Sequence, residues 1–183
     1  TMLEKKPQER QLWMSLIHAY IQSDKYKDAL QNLEIFSRLF KITASEELTL
    51  ADLYFNAGFP KEAAKHYLNL AQQKDISNQS LLRCARGLIS SNKSQKALQV
   101  LNTERTTTWT IGNKEKLHSI RGEIYKDMDK TDEALNEFNN VLKYNSLNAR
   151  ALYFIADIHQ ENKRYDQALD FYSRAQKDRT YTV

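Results

Sequence analysis

Cys84 and four histidines, His18, His66, His118 and His159, are the side chains with which this chain could act as nucleophile, general base or metal ligand. Each chemistry demands a spacing. A thiolate needs a base within hydrogen-bond reach, and a zinc site needs several nitrogen and sulfur donors at short, fixed intervals. The four histidines are scattered along the chain, with no HxxxH and no CxxC. Cys84 lies on an apolar stripe, the setting of a buried, inert thiol. The acid pairs Glu46-Glu47 and Asp127/Asp129 could divide acid and base roles, but both fall near helix ends or turns with no neighbouring apolar pocket, where carboxylates are solvated. Gly58, Gly87, Gly112 and Gly122 are isolated, so no glycine-rich phosphate loop exists. The aromatics, 10 Tyr and 7 Phe, lie mostly on apolar stripes and are not interleaved with arginines as a base-stacking platform would be. The expectation is a non-catalytic protein with no cofactor and no metal.

The elements that carry these residues recur. Trp13, Leu16 and Tyr20 stand at helical spacing, a polar break follows at Ser23-Asp24-Lys25, and Ala29 and Leu33 begin a second helix. An alanine in the same local setting returns at Ala63, Ala97, Ala134 and Ala168, at intervals of 34, 34, 37 and 34 residues. A near-constant period of this length signals stacked helical hairpins. The small alanine has a physical role: two helices joined by a tight turn approach closely only where one lacks a bulky side chain.

Read in order, residues 1–9 look like the end of a truncated preceding unit, because Pro7 stands just before Arg10. An array over 10–178 follows, in units 10–43, 44–77, 78–114, 115–148 and 149–182. In the second, Ser45 ahead of Glu46-Glu47 reads as an N-cap, and Gly58 with Pro60 as a sharp hairpin. The third carries three extra residues and the polar run Thr103-Glu104-Arg105-Thr106-Thr107-Thr108, predicting a longer loop whose Trp109 and Ile111 plug the edge of the core. In the fourth, Arg121 takes the place of Leu16 and Leu50, so its stem packs while its guanidinium reaches solvent or a carboxylate. The last five residues look frayed. The pattern predicts helices at about 10–22, 26–39, 45–57, 60–73, 79–91, 94–103, 114–128, 131–144, 149–162 and 165–177, and no strand. Trp13, Leu16, Leu50, Cys84, Ile124, Ala134, Ile155 and Ala168 are the expected core.

Composition narrows the partners. The 27 basic and 23 acidic residues are interspersed over 183 residues, and the net charge of +4 is not gathered into a tail or patch. Several cations, such as Lys41 and Lys143, fall near helix C-termini and offset the helix dipole. No nucleic acid is therefore expected. No apolar run approaches the length that crosses a bilayer, so this sequence carries no transmembrane segment.

With Trp13-Leu16-Tyr20-Ala29, Gly122-Tyr125-Ala134-Phe138 and Ala156-Ala168-Tyr172-Ala175 spaced as they are, the chain resembles the tetratricopeptide repeat (TPR) family from residue 10 to about 178. It departs modestly: Ile17 and Ala51 replace the glycine found at Gly122, and His159 the tyrosine found at Tyr20 and Tyr125. The resemblance implies an all-α, right-handed superhelical solenoid of about five helix-turn-helix units, whose first helices line a concave groove. By offset the groove would carry Met14, His18 and Ile21, then Leu48, Asp52 and Phe55, then Leu82, Arg86 and Ile89, followed by Ser119, Glu123, Lys126, Tyr153 and Asp157. Six apolar residues at matching places would form a partly exposed ladder; covering roughly 400 Å² of it gives about 10 kcal/mol gross, most of it offset by ordering the ligand. Some family members grip a chaperone's C-terminal carboxylate, but Met14 and His18 replace the first lysine and asparagine of that set. A second resemblance, from Trp109 to Ala175, is to exported repeat proteins of TonB-type systems, carried by Lys116-Leu117, Tyr144-Asn145-Ser146-Leu147-Asn148-Ala149 and Tyr172-Ser173-Arg174-Ala175. It implies a bacterial cell-envelope complex, components of a TonB-type system as partners, and a periplasmic setting over a cytoplasmic one.

The leading expectation is a protein-protein interaction scaffold that binds a peptide or partner helix in its groove. The alternatives are a weakly basic nucleic-acid-binding solenoid, whose affinity would fall steeply with salt, and a scaffold that self-associates through uncapped ends.

Overall fold

Each hairpin turn is three residues long and closes the same way. In the computed structural model, which describes residues 9–102 and 109–176, ten helices are present and no strand occurs among the described residues. They are α1 (Arg10–Gln22), α2 (Tyr26–Leu39), α3 (Ala44–Asn56), α4 (Pro60–Ala71), α5 (Asn78–Ser90), α6 (Ser94–Asn102), α7 (Ile111–Asp127), α8 (Thr131–Tyr144), α9 (Ala149–Glu161) and α10 (Tyr165–Ala175). In all five turns one residue takes positive φ: Asp24, Gly58, Asn92, Asp129 and Lys163. The next residue's N–H then returns to a carbonyl five back, as Lys25 to Tyr20, Phe59 to Tyr54, Lys93 to Leu88, Lys130 to Tyr125 and Arg164 to His159. That left-handed residue plus a six-to-one bond is a Schellman closure. Only Gly58 announces it in the sequence: Asp24, Asn92 and Asp129 are of types that tolerate the left-handed region but hide among ordinary polar residues, and Lys163 carries no such signal.

The chain divides into two compact units, Thr1–Val100 and Leu101–Val183. In the first, α1 packs on α2, α2 on α3, α3 on α4 and α4 on α5, and α3 also touches α5. Trp13, Ile17, Leu33 and Phe36 join Leu50 and Leu53 in one core that crosses from the first hairpin into the second. In the second unit α7 packs on α8, α8 on α9 and α9 on α10. Its core joins Ala134, Phe138 and Val141 to Ala151, Ile155 and Ile158. Within each unit these are the stacked helical pairs predicted from the spacing.

Several details differ from the expectation. Leu16 is half-buried and its neighbour Ile17 is the fully buried residue. Leu50, at the same register, is covered by the preceding hairpin, whereas no described helix precedes α1. The cap of α3 is Thr43, not Ser45: its hydroxyl accepts from the Glu46 N–H and Glu46 Oε2 accepts from the Thr43 N–H, a full capping box. α7 starts three residues before the expected 114, because Thr110 caps it through the Asn113 N–H. Ile111 therefore stands on the first turn of a helix, 68% exposed, and plugs nothing, while Trp109 is half-buried. Arg121 is half-buried and pairs with no carboxylate among the described residues; its guanidinium donates to the Leu101 carbonyl at 2.7 Å. The truncated-unit reading of residues 1–9 falls, except for residue 9, outside the described residues, as do the polar run 103–108 and the frayed tail.

Candidate functional site

The first helices of the unit Thr1–Val100 carry the first nine residues of the expected groove. Leu48 (2% exposed) and Leu82 (5%) are covered, against the expectation of a partly exposed ladder. α3 packs directly on α5, so these successive first helices lie close together. Met14, Ile21, Asp52, Phe55 and Ile89 are half-buried, and His18 and Arg86 are exposed. What stays open is thus a mixed surface of apolar and charged groups.

Part of that surface is a depression of about 290 Å³ lined by Asp52, Phe55, Tyr67, Arg83, Arg86 and Gly87, among others. Asp52 organises it. One carboxylate oxygen accepts from the Tyr67 hydroxyl at 2.5 Å, and the other pairs with the Arg83 guanidinium. Burial and then the Asp52 carboxylate push the Tyr67 phenol well above its ordinary pKa, so it remains a neutral donor. Arg86 has no hydrogen-bond or ion-pair partner among the described residues and presents an open guanidinium. Tyr67, Arg83 and Gly87 were not expected here. Tyr67 sits on a second helix and reads as core; only the absence of a side chain at Gly87 lets its ring lie there, since a Cβ would stand 2.3 Å from it.

The corresponding face of the unit Leu101–Val183 is closed by ion pairs. Lys126 Nζ lies 2.9 Å from Asp157 and 3.0 Å from Glu161, and Arg150 lies 3.0 Å from Glu123. Ser119 donates to Glu123 at 3.3 Å. The hydrogen bond to Asp157, helped by Glu161, raises the Lys126 pKa against the opposing effect of burial. Tyr153 is exposed and packs against Tyr172 with ring centroids 5.6 Å apart.

Cys84 is fully buried, His66 stacks on Tyr54, His159 stacks on Phe171, and His118 Nδ1 lies 2.5 Å from Glu137 Oε2. Glu46 is not simply solvated: Arg10 holds it at 2.6 Å. Burial would raise its pKa, but the Thr43 N–H and hydroxyl and the Arg10 guanidinium outweigh that and hold it below the usual carboxylate range. Asp127 and Asp129 are exposed at the turn. Among the described residues no cluster of three His, Cys, Asp or Glu side chains could hold a metal ion, and no helix is long and apolar enough to cross a membrane.

Residues 121–181 match the family model of the tetratricopeptide repeat. That segment of the chain is similar to the tetratricopeptide repeat. Solved structures agree on the fold. Residues 41 to the end of MamA from Desulfovibrio magneticus RS-1 superpose with a TM-score of 0.76 at 10% identity, over 96% of this chain and 98% of that one. Pseudomonas aeruginosa pilF gives 0.72 at 18% identity, over 92% and 75%. YrrB, described as a TPR protein with an unusual peptide-binding site, gives 0.67 at 16% identity, over 95% and 88%. Comparison with curated protein sequences finds no match. In the matched TPR segment the small residue at Gly122 has a clear physical role, because a Cβ there would stand 2.7 Å from the ring of fully buried Phe138. Where Ile17 or Ala51 takes the place of Gly122, the residue at the register of Phe138 is Leu33 or Tyr67.

Proposed function

We propose that this TPR chain is a non-catalytic protein-protein interaction scaffold that takes a peptide or partner helix in a concave groove on α1, α3 and α5. The groove is the surface of Met14, His18, Ile21, Leu48, Asp52, Phe55, Leu82, Arg86 and Ile89, with Leu48 and Leu82 as its covered floor. The observation that carries this reading is the depression where half-buried Phe55 meets the unpaired Arg86 guanidinium. An apolar wall beside an open charge can anchor a side chain and orient it, whereas the face with Lys126, Asp157 and Glu123 has already satisfied its charges internally. The units 10–43 to 149–182 are proposed as one array, and a cell-envelope complex with a TonB-type partner remains its proposed setting, supported by the residues from Trp109 to Ala175. Affinity should be modest and exchange fast, because little apolar area remains open once the floor is covered.

The test is peptide phage display panned on the native chain and on Phe55→Glu/Arg86→Glu, both residues being accessible enough to change without unfolding the unit. Enrichment of a shared motif by the native chain, lost in the double variant at unchanged melting temperature, is the expected result. Equal enrichment on both would move the binding surface elsewhere.

A further inference from the structure

A second depression, of about 500 Å³, lies between α2 and the turn joining α3 to α4 and shares no residue with the proposed groove. Its walls are Leu30, the Tyr54 ring and Phe59, which is 44% exposed; its polar edge is Glu34 and Glu62. We propose that this depression is a binding site for a lysine or arginine side chain presented by a partner polypeptide.

The walls are prearranged. Tyr54 donates its hydroxyl to Glu34, stacks on His66 with centroids 5.0 Å apart and meets Phe59 edge to face at 6.5 Å. An aromatic ring held on three sides offers a fixed surface for an alkyl stem or a guanidinium plane. The charge is complementary: two carboxylates line the site against one ammonium, Lys27, at its rim. Glu62 has no hydrogen-bond or ion-pair partner among the described residues, and Glu34 accepts the Tyr54 hydroxyl through Oε1. A neutral apolar side chain could fill the walls but would leave Glu62 unanswered, and an anion would be repelled. A long side chain with a terminal cation satisfies both halves. The phenol of Tyr54 is itself pushed up to about 12 by burial, Glu34 and Glu62 against the lowering effect of Arg38, so the wall stays uncharged beside the carboxylates.

The experiment is an NMR titration of the ¹⁵N-labelled chain with N-acetyl-arginine methylamide and N-acetyl-lysine methylamide, with the uncharged N-acetyl-norleucine methylamide as control. The expected result is saturable amide shifts confined to residues 27–34 and 54–62 with the cations and none with norleucine. Binding should weaken about tenfold in Glu62→Gln, the loss of one charge-assisted contact. It should be unchanged in Phe55→Glu/Arg86→Glu, which separates this site from the groove. Scattered shifts at every acidic residue, an equal response to norleucine, or unaltered binding by Glu62→Gln would overturn it. Phe59→Ala, at an exposed turn position, gives a second variant that tests the wall without touching a charge.

Discussion

The first-helix faces of the two units are built from the same register and do opposite things. At one offset from the repeat alanine stand Met14, Leu48 and Leu82 in the unit Thr1–Val100 but Ser119 and Tyr153 in the unit Leu101–Val183; four residues on stand His18, Asp52 and Arg86, then Glu123 and Asp157. The apolar set drives neighbouring first helices together and buries its own middle. The polar set links its helices by side-chain ion pairs: Glu123 to Arg150 and Lys126 to Asp157. The difference teaches that one backbone register can be stabilised by burial or by charge pairing, and that the choice decides which groups remain for a partner. Burial left Arg86 open, whereas pairing consumed Lys126.

The comparison can be broken most sharply at Leu48. Leu48→Glu places a carboxylate in a fully covered site and should cost more than about 3 kcal/mol, melting the unit Thr1–Val100 first. Ser119→Ala at the matching place should stay within about 1 kcal/mol. Similar melting curves for the two variants would mean that the faces do not differ in the way described. Next in size is Gly122→Ala, whose Cβ would press on the buried Phe138 ring and should cost about 1–3 kcal/mol by overpacking. Denaturant titration reads it, and a neutral result would show that the ring has room to move.

Smaller effects separate charge pairing from burial. Glu46 holds a pKa below its ordinary value in the folded chain, so its contribution is complete at neutral pH and disappears as pH falls through that lowered value. Glu46→Gln should therefore cost about 1 kcal/mol at pH 7, and the gap between parent and variant should close below the ordinary glutamate value of about 4.3. A gap independent of pH would assign the loss to packing instead. Lys126→Met should lower stability by less than about 1 kcal/mol at low salt, and the difference should shrink as salt screens the pair. Phe55→Ala, which changes no charge, should show no such salt dependence in melting.

The repeat itself was legible because it rests on local rules. Helical spacing of apolar residues, a small residue at each close helix contact and a polar break every 34 to 37 residues act within one hairpin, so the alanines at 29, 63, 97, 134 and 168 and most helix limits could be read from order alone. What only the tertiary structure decided depends on neighbours distant in sequence. Whether Leu48 is floor or surface depends on how closely α5 lies on α3, and whether Arg121 meets solvent, a carboxylate or a carbonyl depends on where Leu101 stands. Tyr67 reaches Asp52 only across the gap left by Gly87, twenty residues further along the chain. Periodicity assigns a residue to a face, but the exposure of that face is set by helix approach, a sum over contacts that no single segment contains.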